Sequence, residues 1–301
     1  MLFFGDVQNK SLSENLAQSL STKLFFPDIT VFPDGERRVR LNDTVVGQDV
    51  VFLKTSSETQ NIDSLILETA FLIDAIKRSG AEKITGIIPY IPYSRADHIF
   101  RDGEAVPLEV VIGIFEKAGL SKIVFVDPHT IKMPEMFSIE VVTLSALGMF
   151  AGKIKEIGFD KENSVIVSPD MGGLRRMEQL SEMLGGLSFV SIEKERDYDS
   201  GKLSVSKVHG EIKKTCFIVD DIISSGKTIA QAVEKVVEFG AEHIYVFATH
   251  PIFAGDAVSI LQNSKTERIF VTDSLPVTQE KQFLKLEVLS LAPLLPGALE
   301  Q

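Results

Sequence analysis

Short runs of β-forming residues alternate with amphipathic helical segments along the whole chain, and this alternation constrains the fold most. Runs such as Val50–Leu53 and Cys216–Val219 are apolar at every position, which is typical of strands buried on both faces. Between such runs, segments such as Asn61–Arg78 carry apolar residues at helical spacing, and Ser79 and Gly80 predict the end of that helix. Because apolar strands alternate with helices, we predict an α/β protein with mainly parallel sheets flanked by helices.

The pattern also predicts the element order. The predicted strands are Val50–Leu53, Ile84–Ile88, Lys122–Val126, Ser164–Val167, Leu187–Ile192, Cys216–Val219, Ile244–Ala248 and Arg268–Thr272. The predicted helices are Asn61–Arg78, Pro107–Lys117, a segment that ends near Ile157, Leu174–Leu184 and Gly226–Phe239. A length of 301 residues suits two domains. Since the pattern restarts after Ser145, we predict two related domains, 1–145 together with a C-terminal segment of about 287–301, and 146–286.

Charge and cysteine content exclude several classes of protein. The formal net charge of -11 repels nucleic acid, so we expect no nucleic-acid partner. Cys216 is the single cysteine, so no disulfide can form within the chain. No apolar run approaches the about 18 residues of a membrane span, and the first residues do not have the basic start of a signal peptide. We therefore expect no membrane partner and a cytoplasmic location.

The segment Ile218–Thr228 combines features of a binding site for a phosphorylated sugar. A strand ends in Asp220 and Asp221, and a helix starts after Gly226. The helix N-terminus suits a phosphate, glycine allows close approach of the backbone, and hydroxyl groups of the loop can donate. Two neighbouring carboxylates can accept hydrogen bonds from the vicinal hydroxyls of a ribose. An acidic turn before an ordinary helix cap remains the alternative.

The sequence Gly226-Lys227-Thr228 is not part of a nucleoside-triphosphate loop. That motif requires a further glycine where this chain has Asp221. An ATP site, if the chain has one, must therefore lie elsewhere.

The whole segment resembles the ribose-phosphate loop shared by type I phosphoribosyltransferases and phosphoribosyl pyrophosphate (PRPP) synthetases. The resemblance implies two phosphoribosyltransferase-like domains, and it assigns ribose 5-phosphate to Asp220, Asp221, Ser224, Ser225, Gly226, Lys227 and Thr228. Many bacterial PRPP synthetases have Asp, Thr, Ala and Gly at the four positions from Ser224 to Lys227. Lys227 is the unusual residue, and its side chain either adds charge to the phosphate site or points to solvent.

Two upstream segments favour a synthetase, which needs ATP, over a transferase. Phe32–Glu36 predicts a turn between two strands, and it is similar to a segment of PRPP synthetases that contacts adenine across a subunit boundary. The resemblance places Phe32 against the base and has Asp34 and Glu36 accept hydrogen bonds from its amino group. The segment Pro89–Asp97 resembles a second ATP-binding segment. Its residues assigned to ATP are Arg95, which matches an arginine that contacts the phosphates, and Asp97.

Three further segments resemble the metal-binding and catalytic parts of the same family. The resemblance implies that His129 and Asp170 bind Mg²⁺ with the substrate phosphates, a role that suits hard ligands. Gly172 and Gly173 would leave backbone N–H groups open to the pyrophosphoryl group. Lys194 and Arg196 match the first and third residues of a basic triplet on a mobile catalytic loop.

The resemblance spans nearly the whole chain and implies a ribose-phosphate diphosphokinase that makes PRPP and AMP from ATP and ribose 5-phosphate. It also implies a homo-oligomer built from dimers, a hexamer in the family. Outside the ribose-phosphate loop, Ala96 replaces a glutamine of the family pattern, and Glu195 replaces the middle basic residue of the triplet. They keep a non-catalytic, synthetase-like regulatory subunit open as an alternative. A type I phosphoribosyltransferase is the other, although it leaves the segment Phe32–Glu36 unexplained.

Overall fold

The computed structural model describes residues 1–55, 61–196 and 203–299. They form two compact units. The first consists of Met1–Leu144, Ser274–Pro276 and Ser290–Gln301, and the second of Ser145–Asp273 and Val277–Leu289. Each unit has its own cluster of buried apolar side chains. None of the described helices is long and apolar enough to cross a membrane.

The first unit is built on a six-stranded parallel sheet. The described strands of the unit, including two that lie outside this sheet, are β1 Leu2–Phe4, β2 Leu24–Phe25, β3 Asp28–Val31, β4 Arg37–Arg40, β5 Asp49–Leu53, β6 Lys83–Ile87, β7 Lys122–Val126 and β8 Glu140–Leu144. Its helices are α1 Lys10–Ser19, α2 Ile62–Arg78 and α3 Pro107–Ala118. The order across the sheet is β2-β1-β5-β6-β7-β8, while β3 and β4 pair antiparallel with each other in a separate hairpin.

The second unit is built on a seven-stranded sheet. Its strands are β9 Ser164–Ser168, β10 Phe189–Arg196, β11 Leu203–His209, β12 Thr215–Ile223, β13 His243–Pro251, β14 Arg268–Thr272 and β15 Leu286–Leu289. Its helices are α4 Leu147–Ile157, α5 Leu174–Met183, α6 Lys227–Glu238 and α7 Ala257–Asn263. The order is β11-β10-β9-β12-β13-β14-β15, and only the β10–β11 pair is antiparallel among the described strand pairs of this sheet.

The predicted α/β architecture with mainly parallel sheets is confirmed. The apolar face of α6 illustrates its cause, because Ile229, Val233 and Val236 recur at helical spacing and are buried in the core of the second unit. The strand order reverses between β9 and β12, and in the first unit it reverses between β1 and β5. At such a switch point the loops after neighbouring strands diverge and leave a crevice at the carboxyl ends. The two switch points are therefore the first places to look for functional side chains.

Candidate active site

Strand β12 carries the acidic pair within the strand itself. The sequence predicted that the strand ends at Val219, and this boundary was wrong, because Asp220 pairs with Ala248 and the pairing with β13 continues to Ile223. The carboxylates therefore have the fixed backbone of a central strand. The loop that follows is correspondingly short, from Ser224 to Gly226.

The short loop is held in place from the neighbouring connection. The backbone N–H of Phe253 donates to the oxygen of Ile223 at 3.1 Å, and that of Ala254 donates to the oxygen of Ser224 at 3.0 Å. Gly226 has a φ of +74°, and a Cβ there would lie 3.3 Å from Leu261 Cγ. Glycine is required because both the backbone angle and the close packing disfavour a side chain.

Helix α6 offers its N-terminus to an anion. Gly226 is the N-cap of α6, and the first turn of this helix has no side-chain cap hydrogen bond from it. Ser224 and Thr228 are half-buried beside this end of the helix, whereas Ser225 and Lys227 are exposed. The open N–H groups and hydroxyl groups are a suitable environment for a phosphate.

The acidic pair is buried and electrostatically strained. Asp220 and Asp221 are 8% and 6% exposed, and the N–H of Asp221 donates to Oδ1 of Asp220 at 2.9 Å. Burial raises the pKa of Asp220 well above its usual range, and the charges of Asp221 and Asp170 raise it further, while Arg176 lowers it. Burial and the neighbouring negative charges therefore favour the protonated form of Asp220. A cation or a set of hydroxyl donors would stabilise its charged form.

The loop after β9 lies beside the acidic pair, as the reversal of strand order predicts. Ser168 donates to the backbone oxygen of Asp170 at 2.7 Å, and Asp170 Oδ1 accepts from the N–H of Gly172 at 2.9 Å. A Cβ on Gly173 would overlap the hydroxyl of Ser168, so this position requires glycine. Gly172 is exposed and Gly173 is buried.

Arg176 is a candidate site residue that sequence reasoning left without a role. It lies in the first turn of α5, and its Nη1 atom lies 3.5 Å from Oδ1 of Asp221. Both side chains are largely buried, at 17% and 8% exposed. The contact joins residues that are 45 positions apart, so only the folded chain reveals it. The signal in the sequence was an arginine within one turn of the segment Ser168–Gly173.

The basic triplet Lys194–Arg196 lies at the end of β10, whereas its resemblance to the family's triplet predicted a loop. Lys194 pairs with Val205 and Arg196 with Leu203 in an antiparallel ladder, and the register shifts between Glu193 and Lys194. Such bulges often re-aim side chains near active sites. The side chains of the triplet and residues 197–202 lie outside the described part of the structure.

In the first unit, the segment Phe32–Glu36 forms the tip of the β3–β4 hairpin, as predicted. The N–H of Phe32 donates to the oxygen of Glu36 at 2.8 Å, and Oδ1 of Asp34 accepts from the N–H of Glu36 at 3.1 Å. All three side chains are exposed, and Phe32 is 40% exposed. An exposed phenylalanine on a rigid turn is able to stack on a planar ligand.

The loops after β6 and β7 meet at Asp97. Its carboxylate accepts a hydrogen bond from Thr130 and lies 2.7 Å from Nδ1 of His98, and these contacts contribute to a lowered pKa of Asp97 although burial opposes them. His129, which precedes Thr130, and Arg95 are both exposed. The fold thus brings the segments of Asp97 and His129 together within the first unit.

The carboxylates provide partial ligation for a hard cation. Among residues 1–55, 61–196 and 203–299, no three His, Cys, Asp or Glu side chains are arranged as a complete metal site. Asp170, Asp220 and Asp221 nevertheless interact electrostatically in the second unit. This donor set fits Mg²⁺, which usually keeps several waters and takes further ligands from substrate phosphates.

Comparison with known proteins defines the class first. A profile of the phosphoribosyl transferase domain matches residues 144–268, and a profile of the N-terminal domain of ribose phosphate pyrophosphokinase matches residues 1–119. The second unit therefore has a phosphoribosyltransferase-type fold, and its acidic strand end and helix N-terminus lie within the matched range.

Full-length relatives then identify the family. A ribose-phosphate pyrophosphokinase of Aquifex aeolicus is 36% identical over 97% of this chain and 93% of its own length. One from Mycobacterium leprae is 35% identical over 99% of this chain and 91% of its own length. The crystal structure of phosphoribosylpyrophosphate synthetase from Mycobacterium smegmatis is 32% identical, with a TM-score of 0.91 over 99% of this chain and 97% of that one. The chain belongs to the ribose-phosphate pyrophosphokinase family.

Proposed function

We propose that the chain is an active ribose-phosphate pyrophosphokinase, which transfers the pyrophosphoryl group of ATP to the C1 hydroxyl of ribose 5-phosphate. The observation that carries this proposal is the end of β12. Two buried carboxylates on the strand are followed, after a short loop, by a helix N-terminus without a side-chain cap, in a chain whose residues 1–119 match the N-terminal domain of ribose phosphate pyrophosphokinase. The two units are proposed to be the two domains of the enzyme.

Ribose 5-phosphate binds at the loop after β12 in this proposal. Asp220 and Asp221 accept hydrogen bonds from the ring hydroxyls, while Ser224, Ser225 and Thr228 and the first N–H groups of α6 bind the 5-phosphate. Support comes from the electrostatics, because hydroxyl donors and a nearby cation would offset the burial, and the repulsion from Asp221, that raise the pKa of Asp220. Gly226 allows the phosphate to approach the backbone, and exposed Lys227 adds long-range attraction.

ATP binds to the first unit. Phe32 stacks on adenine, Asp34 and Glu36 accept from its amino group, and Arg95 and Asp97 lie on the phosphate side of the nucleotide. The exposure of the hairpin tip supports this assignment, since a phenylalanine that is 40% exposed provides an apolar face for a base. The family resemblance has the hairpin reach a neighbouring subunit, so we propose a homo-oligomer.

Mg²⁺ is the proposed metal, and the residues proposed to bind it are Asp170 in the second unit and His129 in the first unit, each within its own unit. When bound, the ion neutralises phosphate charge and polarises the β-phosphorus. The interaction of Asp170 with the buried acidic pair supports a cation requirement in the second unit. Arg176 places a positive charge 3.5 Å from Oδ1 of Asp221.

In the transfer step, a lone pair of the C1 oxygen forms a bond to the β-phosphorus of ATP. The bond from that phosphorus to the oxygen shared with the α-phosphate breaks, AMP leaves with the electron pair, and the proton of the C1 hydroxyl passes to solvent. Lys194 and Arg196 stabilise the charge that develops on the transferred group, and the N–H groups near Gly172 and Gly173 orient it. Phosphoryl transfer depends mainly on such positioning and charge stabilisation.

The test is the nucleotide product. Incubation of the chain with ATP, Mg²⁺ and ribose 5-phosphate should release AMP and PRPP in equal amounts, and omission of ribose 5-phosphate should abolish AMP release. The variant D221N is the matched control, because it keeps the size of the side chain and removes a hydroxyl acceptor.

Three other outcomes contradict the proposal. ADP as the product indicates an ordinary kinase. PRPP consumption with a nucleobase indicates a phosphoribosyltransferase. No turnover alone, but association with an active relative, indicates a regulatory subunit.

The cellular setting follows from the same assignment. Cytoplasm is the proposed location, where the thiol of Cys216 stays reduced. Burial raises the pKa of this thiol to about 12, so we expect it to be unreactive towards thiol reagents in the native state.

A further inference from the structure

A buried ionic cluster occupies the switch point of the first unit, the place that carries the sugar-phosphate residues in the second unit. Lys54, just after β5, bonds to Oε1 of Glu68 on α2 at 2.7 Å and lies 3.5 Å from Oδ1 of Asp6, just after β1. Asp6 also accepts from the N–H of Thr55 at 2.7 Å. The three charged side chains are only 2–4% exposed.

Arg37 connects this cluster to the hairpin. Its Nη1 atom donates to Oε2 of Glu68 at 2.9 Å, and the arginine side chain is 18% exposed. The other three members, Asp6, Lys54 and Glu68, belong to the core of the unit, whereas Arg37 is the first residue of β4. Glu68 is therefore shared between Lys54 in the core and Arg37 on the hairpin.

The position of the β3–β4 hairpin depends on side-chain contacts with the rest of the first unit. Strands β3 and β4 pair only with each other within the described sheets, and an isolated two-stranded hairpin is marginally stable. Val39 and Leu41 pack against the core cluster. The hydrogen bond from Arg37 to Glu68 adds a directional, charge-assisted contact, which fixes the hairpin more tightly than apolar packing alone.

We propose that Arg37 is a positioning residue for the adenine site. It follows Glu36 directly, and the turn is closed by the bond from Phe32 to Glu36 and by the contact of Asp34 with Glu36. A displacement of Arg37 is therefore transmitted through the rigid turn to Phe32. This inference rests on the proposed function, since it takes the hairpin tip as the place where ATP binds.

Steady-state kinetics of R37M measure the effect. We expect the KM for ATP to rise by about 10-fold to 100-fold, since small misplacements at a binding site are costly. The KM for ribose 5-phosphate and kcat should change by less than about twofold at saturating ATP. R37K should recover a large part of the loss. R40M is the matched control, because Arg40 lies on the opposite face of the same strand and is exposed.

The double variant R37M/E68Q separates positioning from stability. R37M alone removes the positive charge that lies beside the buried carboxylate of Glu68, and this charge imbalance destabilises the fold. In the double variant Lys54 and Asp6 form a balanced pair, so the unfolding temperature should recover while the KM for ATP stays high. A KM for ATP that recovers together with the unfolding temperature would overturn the proposal.

A fluorescent reporter tests the anchor without turnover. The chain contains no tryptophan, and Val31 at the end of β3 is 55% exposed, so V31W places a single reporter on the hairpin. Its fluorescence anisotropy should fall in V31W/R37M and stay unchanged in V31W/R40M. Equal anisotropy in all three proteins would show that Arg37 does not hold the hairpin. An absence of AMP release by the wild type would refute the proposed function instead, and the anisotropy would still decide whether Arg37 is the anchor.

Discussion

At the residue scale, the buried carboxyl group of Asp220 lowers the stability of the ligand-free protein at neutral and higher pH. A carboxyl group with a raised pKa in the folded state binds more protons when folded than when unfolded. Stability therefore falls as the pH rises from the ordinary value of 3.8 through the raised pKa of folded Asp220. The charge that strains the free protein is the one that the sugar hydroxyls and a cation would use.

The variant D220N tests whether the charge of Asp220 lowers stability in the free protein and contributes to binding of ribose 5-phosphate. Asparagine keeps the oxygen that accepts from the N–H of Asp221 and removes the buried charge. We expect the unfolding temperature of the ligand-free variant to exceed that of the wild type by about 2–4 °C at pH 8, which corresponds to about 1 kcal/mol for a domain of this size. The difference should shrink at pH 5. Affinity for ribose 5-phosphate should fall, as measured by calorimetry.

Asp160 provides the opposite control for D220N. Hydrogen bonds from Glu162 and Asn163 lower the pKa of this exposed aspartate. Its contribution is present above the unfolded value and is lost as the pH falls through the lowered pKa, so D160N should reduce the unfolding temperature at pH 8. A D220N variant that is also less stable than the wild type at pH 8 would contradict the account of the acidic pair.

At the element scale, the junction of β12 and α6 depends on one backbone angle. The variant G226A should raise the KM for ribose 5-phosphate at least about tenfold, because a Cβ at a φ of +74° is strained by roughly 1–2 kcal/mol and meets the α7 helix. The matched control is G158A, at the end of α4. It has a φ of +87° and open space around its Cβ. Both variants should lose stability, and only G226A should bind the sugar phosphate poorly. Equal kinetics in the two variants would argue against a phosphate at this helix end.

Some strands could be predicted from the sequence alone, and others could not. Strands with continuous apolar runs, such as Lys122–Val126 and Arg268–Thr272, were predicted at their observed bounds. The short edge strands β2 and β15 were not predicted, because a strand that is only half-buried lacks such a run. The end of β12 was misplaced because polarity at Asp220 suggested a loop, whereas hydrogen bonding to β13 continues through it.

Some residues of the candidate site could also be predicted from local motifs, and others could not. Local motifs such as Phe32–Glu36 and Ser168–Gly173 were visible as turn and loop chemistry within a few residues. The contacts of Arg176 with Asp221 and of Arg37 with Glu68 were not, since each joins residues far apart in the chain. Charged residues at helix and strand positions are usually solvated, and only the fold distinguishes these two arginines from the rest.

At the scale of the whole molecule, the proposed assignment gives one substrate to each unit. The proposed residues for ribose 5-phosphate lie in the second unit, and those for the adenine of ATP lie in the first. The two switch points differ in structure. In the second unit a helix N-terminus lies open beside carboxylates, whereas in the first unit the Asp6–Lys54–Glu68 cluster fills this place.

Hydrogen exchange with single substrates tests this division. Ribose 5-phosphate alone should slow exchange of the amides of the loop 224–228, by up to about 100-fold at a concentration of 100 Kd, and leave the hairpin tip at 32–36 unchanged. ATP with Mg²⁺ should protect the hairpin tip. D221N should lose the first effect and keep the second, while R37M should show the reverse. Protection of the hairpin tip by ribose 5-phosphate alone would contradict the assignment of one substrate to each unit.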